Sequence, residues 1–336
     1  GRVYEISEYA PNVPLYYARN PLNELFTLNI SIDVGTEHND LLSLVSALMG
    51  KAGTATLSAE ELQKEWYRLG SDFGLSSSAN ETSIAITGLD SQFEETLVLM
   101  LELISDPRAD EDTFSQLKET ILEARRNQRE DPQAISQALY LYNRYGDDSP
   151  MLQAMSSDTL QAVELDELLT LISDLRQYQH RISYTGSMPL ERVTAILRDH
   201  HQPGAALLAP PPYEYRRARQ ISDNEIYVIH RETAQSQVRL EFPDGTYEED
   251  LVVPASVYNS YFGTSMSSVV FQELREARAL AYSAAANYSQ GGRPQVETMV
   301  LGAIGSQNDK AVEATAAFVD LFDNMPRSSD RFEDAV

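Results

Sequence analysis

From residue 13 the chain alternates apolar and polar side chains. Val13-Pro-Leu-Tyr-Tyr-Ala-Arg19 and then 25–34, separated by Pro21-Leu-Asn23, show the period of two that predicts a pair of strands. Asn39 or Asp40 stands ready to cap an apolar helix that runs to Met49, and Ser58 with Glu61 three residues later spells a capping box for a second helix to Leu69. Another strand pair is expected over 71–88. From Asp90 to about Gln177 the apolar spacing lengthens to roughly 3.6, predicting several helices broken at Asp106-Pro107, Asp131-Pro132 and Gly146-Asp-Asp-Ser-Pro150. A strand at 180–186 and a helix at 190–200 close this first run.

Gln202-Pro-Gly204 and Pro210-Pro-Pro212 neither extend a helix nor pair at a sheet centre, so 203–220 reads as a linker. Beyond it the pattern predicts strands at 225–229 and 235–242, helices at 254–261 and 267–278, strands at 281–289 and 295–304, and a helix at 309–323. Gly291-Gly292 falls between two of these strands as a hairpin turn, not as a phosphate cradle. The second run repeats the order of the first: strand pair, two helices, strand pair, long helix. Such an order favours an α+β architecture of tandem homologous domains, each an antiparallel sheet with helices on one face. The expected division is a complete domain over 1–202 and the opening part of a second over 221–336. A second domain that stops after its first long helix leaves a sheet edge and an apolar helix face uncovered, which favours association.

Composition narrows the partners. With 26 basic against 51 acidic side chains the formal charge is -25, which repels phosphate backbones and anionic lipid and speaks against nucleic acid. No apolar run reaches the roughly 20 residues that span a bilayer, so membrane insertion is not expected. The absence of cysteine excludes disulfides and thiolate metal sites but fits a reducing cytosol and a cysteine-poor secreted protein equally. The chain opens on a bare Gly and ends inside a helical pattern, as an excised fragment would. A lost signal peptide would make it periplasmic or secreted, and otherwise it would be cytoplasmic.

The stretch Tyr261-Phe-Gly-Thr-Ser-Met-Ser-Ser-Val-Val-Phe-Gln-Glu-Leu-Arg275-Glu-Ala-Arg278-Ala-Leu-Ala-Tyr282-Ser resembles one recurrent element of the pitrilysin/insulinase family of inverted zinc peptidases. The alignment extends over nearly the whole chain. In that family an Arg and a Tyr seven positions later, in the half that carries no metal, hold the substrate backbone against the zinc centre of the other half. Arg275 and Tyr282 stand at that spacing, and the resemblance implies that they bind peptide. Arg278 is the nearby alternative. Read without the resemblance, Arg275 is a cation favoured at a helix C-terminus and Tyr282 a residue of a half-buried strand.

Active members carry His-x-x-Glu-His on the first helix, because two His at i and i+4 share one helical face and reach one ion. Aligned on Gly53-Thr54, the three positions here are Leu44, Ala47 and Leu48, none with a donor atom and all three suited to a packed interior. Glu119 and Glu123 mark the third-ligand region without imidazole partners. The five His, at 38, 180, 200, 201 and 230, include no metal spacing, and adjacent His200 and His201 read as a surface pair at a helix end. No cysteine, Gly-x-Ser-x-Gly elbow or Ser/His/Asp pattern offers a nucleophile. The resemblance therefore implies the non-catalytic half of a zinc endopeptidase. This chain would bind no cofactor, and zinc would be supplied by another half in the same polypeptide or a homologous subunit. The two halves would enclose a chamber for unfolded or short peptides. A structural or assembly subunit of the same fold is the alternative.

Overall fold

The computed structural model describes residues 4–204 and 206–336. They form two compact units, one of the residues up to Arg126 with Ala154–Glu214, the other of Asn127–Gln153 with Tyr215–Val336. The division after Glu214 lies within the expected linker. Residues 127–153, by contrast, count with the second unit.

In the first unit the order is β1 (Glu5–Ala10), β2 (Val13–Arg19), β3 (Leu25–Ile32), α1 (Leu42–Met49), α2 (Ala59–Leu69), β4 (Asp72–Ser77), β5 (Thr82–Leu89), α3 (Phe93–Ser105) and α4 (Glu111–Gln128). After the excursion into the second unit, made of α5 (Pro132–Tyr145) and α6 (Pro150–Gln153), come α7 (Ser157–Ala162), α8 (Leu165–Leu175), β6 (His180–Gly186) and α9 (Leu190–His200). The sheet order is β1-β2-β6-β3-β5-β4.

All neighbours in this sheet are antiparallel except β2 and β6. The expectation that β2 and β3 pair with each other is therefore corrected. Their connection leaves room for one strand, and β6, returning after the helices, bonds to both. β1 escaped the sequence pattern because Glu5 and Ile6 are exposed and Glu8 is again exposed, so its alternation is weak.

Helix boundaries follow local chemistry. Ser58 and Glu61 form the capping box reciprocally, and Gly70, at φ 60°, ends α2 in the left-handed region that a Cβ disfavours. Asn39 does not cap α1 itself; its Oδ1 accepts from the Leu41 N–H one turn earlier, at 3.0 Å. One core joins the inner faces of β3, β5 and β6 to the helices, with Phe26, Leu28, Ile86, Ile182, Leu48, Leu97 and Leu168 all buried. Each such side chain contributes about 1.5–3 kcal/mol by leaving water. Asp90 is buried too, accepting from the Tyr184 hydroxyl at 2.5 Å and the Ser187 N–H at 2.9 Å.

The second unit contains β7 (Ser236–Thr246), α10 (Val252–Asn259), β8 (Ser283–Ser289), β9 (Glu297–Ser306), α11 (Ala311–Asp323) and α12 (Ser329–Ala335), with sheet order β7-β9-β8. Val238, Leu240, Ala286 and Ile304 pack with Phe262, Leu274 and Phe318 on the helical face. The other face receives α5. Ser136, Tyr140 and Arg144, spaced by four, form one stripe that meets Arg239, Glu241 and Glu297. Partners for that stripe lie on this sheet, which is why 127–153 belongs here.

The strand expected at 225–229 does not form: no ladder includes these residues. Its apolar alternation is present, but Ile226 is 88% and Val228 79% exposed.

Candidate functional site

Leu44, Ala47 and Leu48 all lie on α1. At about 100° per residue, positions 42, 44, 45, 48 and 49 fill one arc, and all of them are buried. Position 47 falls outside that arc, beside Ser43, so Ala47 is exposed rather than packed as expected. None of the three offers a lone pair to an ion, so the residues present do not fit zinc. Glu119 and Glu123 on α4 are exposed. Among the described residues no group of three or more His, Asp or Glu side chains could hold a metal.

Arg275 and Tyr282 flank a short turn in the second unit. The helix expected at 267–278 is wound wide instead, as a π-helical segment over Phe271–Ala277 preceded by another over Ser260–Thr264. Such wide turns recur at functional sites. Gly263 lies in the earlier one, where an added Cβ would sit 2.2 Å from the Ala286 carbonyl oxygen. Only glycine permits that approach to β8.

After Arg278 the chain reverses through Ala279, at φ 50°, and the Leu280 N–H bonds back to the Leu274 carbonyl at 2.9 Å. Leu280 and Ala281 are buried, anchoring the turn. Tyr282 precedes β8, and its N–H donates to the Gly305 carbonyl at 2.8 Å.

Both side chains face water, with the Arg275 side chain 48% and Tyr282 53% exposed. The Arg275 guanidinium lies 4.8 Å from the Phe271 ring centroid, and its Nε is 3.6 Å from a Glu276 carboxylate oxygen. The Tyr282 hydroxyl accepts from the Gln307 amide at 3.0 Å, which leaves its own hydrogen to donate. The two groups thus offer N–H and O–H donors, the chemistry that a peptide carbonyl accepts. Arg278 is exposed as well. Sequence reasoning missed Phe271 and Gln307 as supports. Phe271, four residues before Arg275, was legible from helical spacing; Gln307 lies beyond two strands and was not.

Histidines gather elsewhere. His201 is not a surface residue paired with His200: its Nδ1 meets the Tyr9 hydroxyl, and its ring packs perpendicular to that of His180, centroids 5.1 Å apart. His200 instead reaches Glu94, at 3.0 Å. The His180 Nδ1 bonds the Tyr178 carbonyl at 2.8 Å while its buried Nε2 has no partner. Burial lowers the basicity of both rings, and His201 is pushed down to about 3 by burial first, then by His180 and Arg176.

Residues 163–336 match the family described as the peptidase M16 inactive domain. That is more than half of the chain, and the chain belongs to this family. It is 24% identical over 291 residues to the uncharacterized zinc protease YmxG of Bacillus subtilis, covering 81% of this chain and 66% of the relative. Among solved structures, a peptidase M16 inactive domain from Pseudomonas fluorescens matches with a TM-score of 0.77 at 16% identity, over 99% of this chain and 82% of that one. A mutant of the ferredoxin protease FusC, solved with Arabidopsis ferredoxin, matches at 0.79 and 14% identity, over 100% of this chain and 39% of that one. The chain thus spans less than two thirds of the length of each of YmxG and FusC. Among the described residues, no helix is long and apolar enough to cross a membrane.

Proposed function

We propose that this chain is the peptide-holding, metal-free half of a zinc endopeptidase, completing a chamber around a zinc site carried by another half. In this reading Arg275 and Tyr282 grip the substrate backbone. The guanidinium and the phenolic O–H donate to peptide carbonyls, and the same donors face the oxyanion that develops during hydrolysis. Phe271 holds the guanidinium flat, and Gln307 orients the phenol. Residues 1–202 are then a complete peptidase-like domain, 203–220 a linker, and 221–336 the opening part of a second domain.

The observation that carries the proposal is the exposure of Arg275 and Tyr282 on either side of one anchored turn, in a chain whose equivalent of the metal helix holds apolar side chains at all three ligand positions, Leu44, Ala47 and Leu48. FusC, by its description a ferredoxin protease caught with ferredoxin, supports a substrate-binding role for the fold.

The test is kinetic. In the enzyme reconstituted with its zinc-bearing half, Arg275→Ala and Tyr282→Phe each lower kcat/KM for an unfolded peptide, by about 10- to 100-fold, with the fold intact by circular dichroism. Unchanged kinetics in both variants would refute the clamp and favour a structural subunit. Zinc-dependent turnover by this chain alone would refute the division of labour.

A further inference from the structure

The turn between Arg275 and Tyr282 is held by one short stretch of chain, residues 305–310, where β9 hands over to α11. The Gly305 carbonyl accepts from the Tyr282 N–H at 2.8 Å, the Gln307 side-chain amide donates to the Tyr282 hydroxyl at 3.0 Å, and the Lys310 Nζ donates to the Ala279 carbonyl at 3.3 Å. Backbone and side chain of Tyr282 are thus fixed by the same neighbour. The Lys310 bond falls where the chain reverses, since Ala279 is the residue at φ 50°. Lys310 is half-buried, and its ammonium meets a carbonyl just past the end of a helical segment, where a cation is favoured.

The stretch is itself fixed from the opposite side. Asn308 uses both halves of its amide on the residues that lead into β7: its Nδ2 donates to the Thr233 carbonyl at 2.8 Å, and its Oδ1 accepts from the Ser236 hydroxyl at 2.9 Å. An amide engaged at both ends keeps one orientation. Ser306, fully buried, faces Ser236 across the β7–β9 ladder, and the Lys310 N–H closes onto the Gln307 carbonyl at 3.0 Å. A continuous set of bonds therefore runs from 233–236 through 305–310 to 279–282.

We propose that Asn308 and Lys310 are positioning residues for the Arg275 and Tyr282 pair. Asn308 seats the stretch on the sheet, and Lys310 ties the turn to the stretch. This rests on reading Arg275 and Tyr282 as the peptide-holding groups. A guanidinium and a phenol serve one peptide backbone together only at the right separation, and a displacement of about 1 Å costs a reaction up to about 100-fold.

Two readouts test the assignment. 3-Fluorotyrosine in place of Tyr282 reports the position of that ring by its fluorine resonance, and the enzyme reconstituted with its zinc-bearing half reports the reaction. Lys310→Met and Asn308→Ala each move the resonance, and each lowers kcat/KM for an unfolded peptide by about 10-fold. Lys310→Arg, which keeps a donor for the Ala279 carbonyl, restores both. In an enzyme that already carries Arg275→Ala and Tyr282→Phe, Lys310→Met causes no further loss, because residues that act as a unit are not additive.

A resonance that stays in place in both variants would overturn the inference. So would a loss from Lys310→Met that multiplies on the background without the clamp. A moved resonance beside wild-type kinetics in Arg275→Ala and Tyr282→Phe would sink the clamp and keep the positioning. A fixed resonance beside slowed clamp variants would do the reverse.

Discussion

β2 and residues 225–229 carry comparable alternations of apolar side chains, yet one is a buried strand and the other lies exposed and unpaired. The difference lies in their neighbours. β2 has β1 on one side and β6 on the other, and the helices behind β6 remove Leu15 and Tyr17 from water. Residues 225–229 have the pattern without the partner. An alternating sequence marks a strand only where a ladder is available, because unpaired backbone groups are better satisfied by water than by burial.

The largest effect that this contrast predicts is an asymmetry of core truncations. Leu15→Ala removes a fully buried side chain and costs about 2–5 kcal/mol, whereas Ile226→Ala changes stability by no more than about 0.5 kcal/mol. Denaturant unfolding of the two variants measures both. A cost above about 1.5 kcal/mol at Ile226 would mean that 225–229 is packed in solution.

Acid separates the units next, with opposite signs. His201 in the first unit is held neutral, with its proton affinity depressed to about 3, so the unfolded chain binds a proton that the folded one refuses. Stability is therefore lost as pH falls from about 6.5 toward 3, by about 3 kcal/mol at pH 4. In the second unit burial raises the Glu241 carboxyl above its ordinary value, more than Arg144 lowers it, and Glu297 adds to the rise. Protonation of that side chain favours the folded form, so this unit gains stability as pH falls through the raised value and loses it as pH rises again. Measured against the intrinsic exchange rate at each pH, the protection of β6 amides should fall at pH 4 while that of β9 amides holds. His201→Gln should flatten the response of the first unit, and a response that survives this substitution would assign it to other groups.

Much of the first unit was legible in sequence because its signals are local. Ser58 and Glu61 lie one helical turn apart, and the apolar period along α3 is sustained for 13 residues. What escaped is long-range. Nothing in Val13-Pro-Leu-Tyr-Tyr-Ala-Arg19 says that a strand more than 160 residues later will bond to it, as β6 does from Ile182 to Gly186. Nor do residues 127–153 announce that Ser136, Tyr140 and Arg144 find partners on β7 and β9. At the candidate site the spacing of Arg275 and Tyr282 was visible, but the wide helical turns and the Gln307 contact were not. Wide turns depend on how the chain is anchored at both ends rather than on propensity.

The smallest prediction sharpens the comparison at the junction where each unit's second helix hands over to a strand. In the first unit that reversal is Gly70, at φ 60°; in the second it is Ala279, at φ 50°. The left-handed region costs an alanine about 1–2 kcal/mol because its Cβ crowds the following carbonyl, and glycine escapes that cost. Glycine also gives the unfolded chain more freedom, which offsets about 0.4–1 kcal/mol. Ala279→Gly should thus stabilise the second unit by only about 0.5 kcal/mol. Its interest lies in the rate. If the stiffness of Ala279 fixes the distance between Arg275 and Tyr282, the glycine variant gains stability and loses kcat/KM, and adding back rigidity with D-alanine at that position by semisynthesis restores it. A glycine variant that is both more stable and fully active would show that the buried Leu280 and Ala281, not the strained residue before them, hold the turn in place.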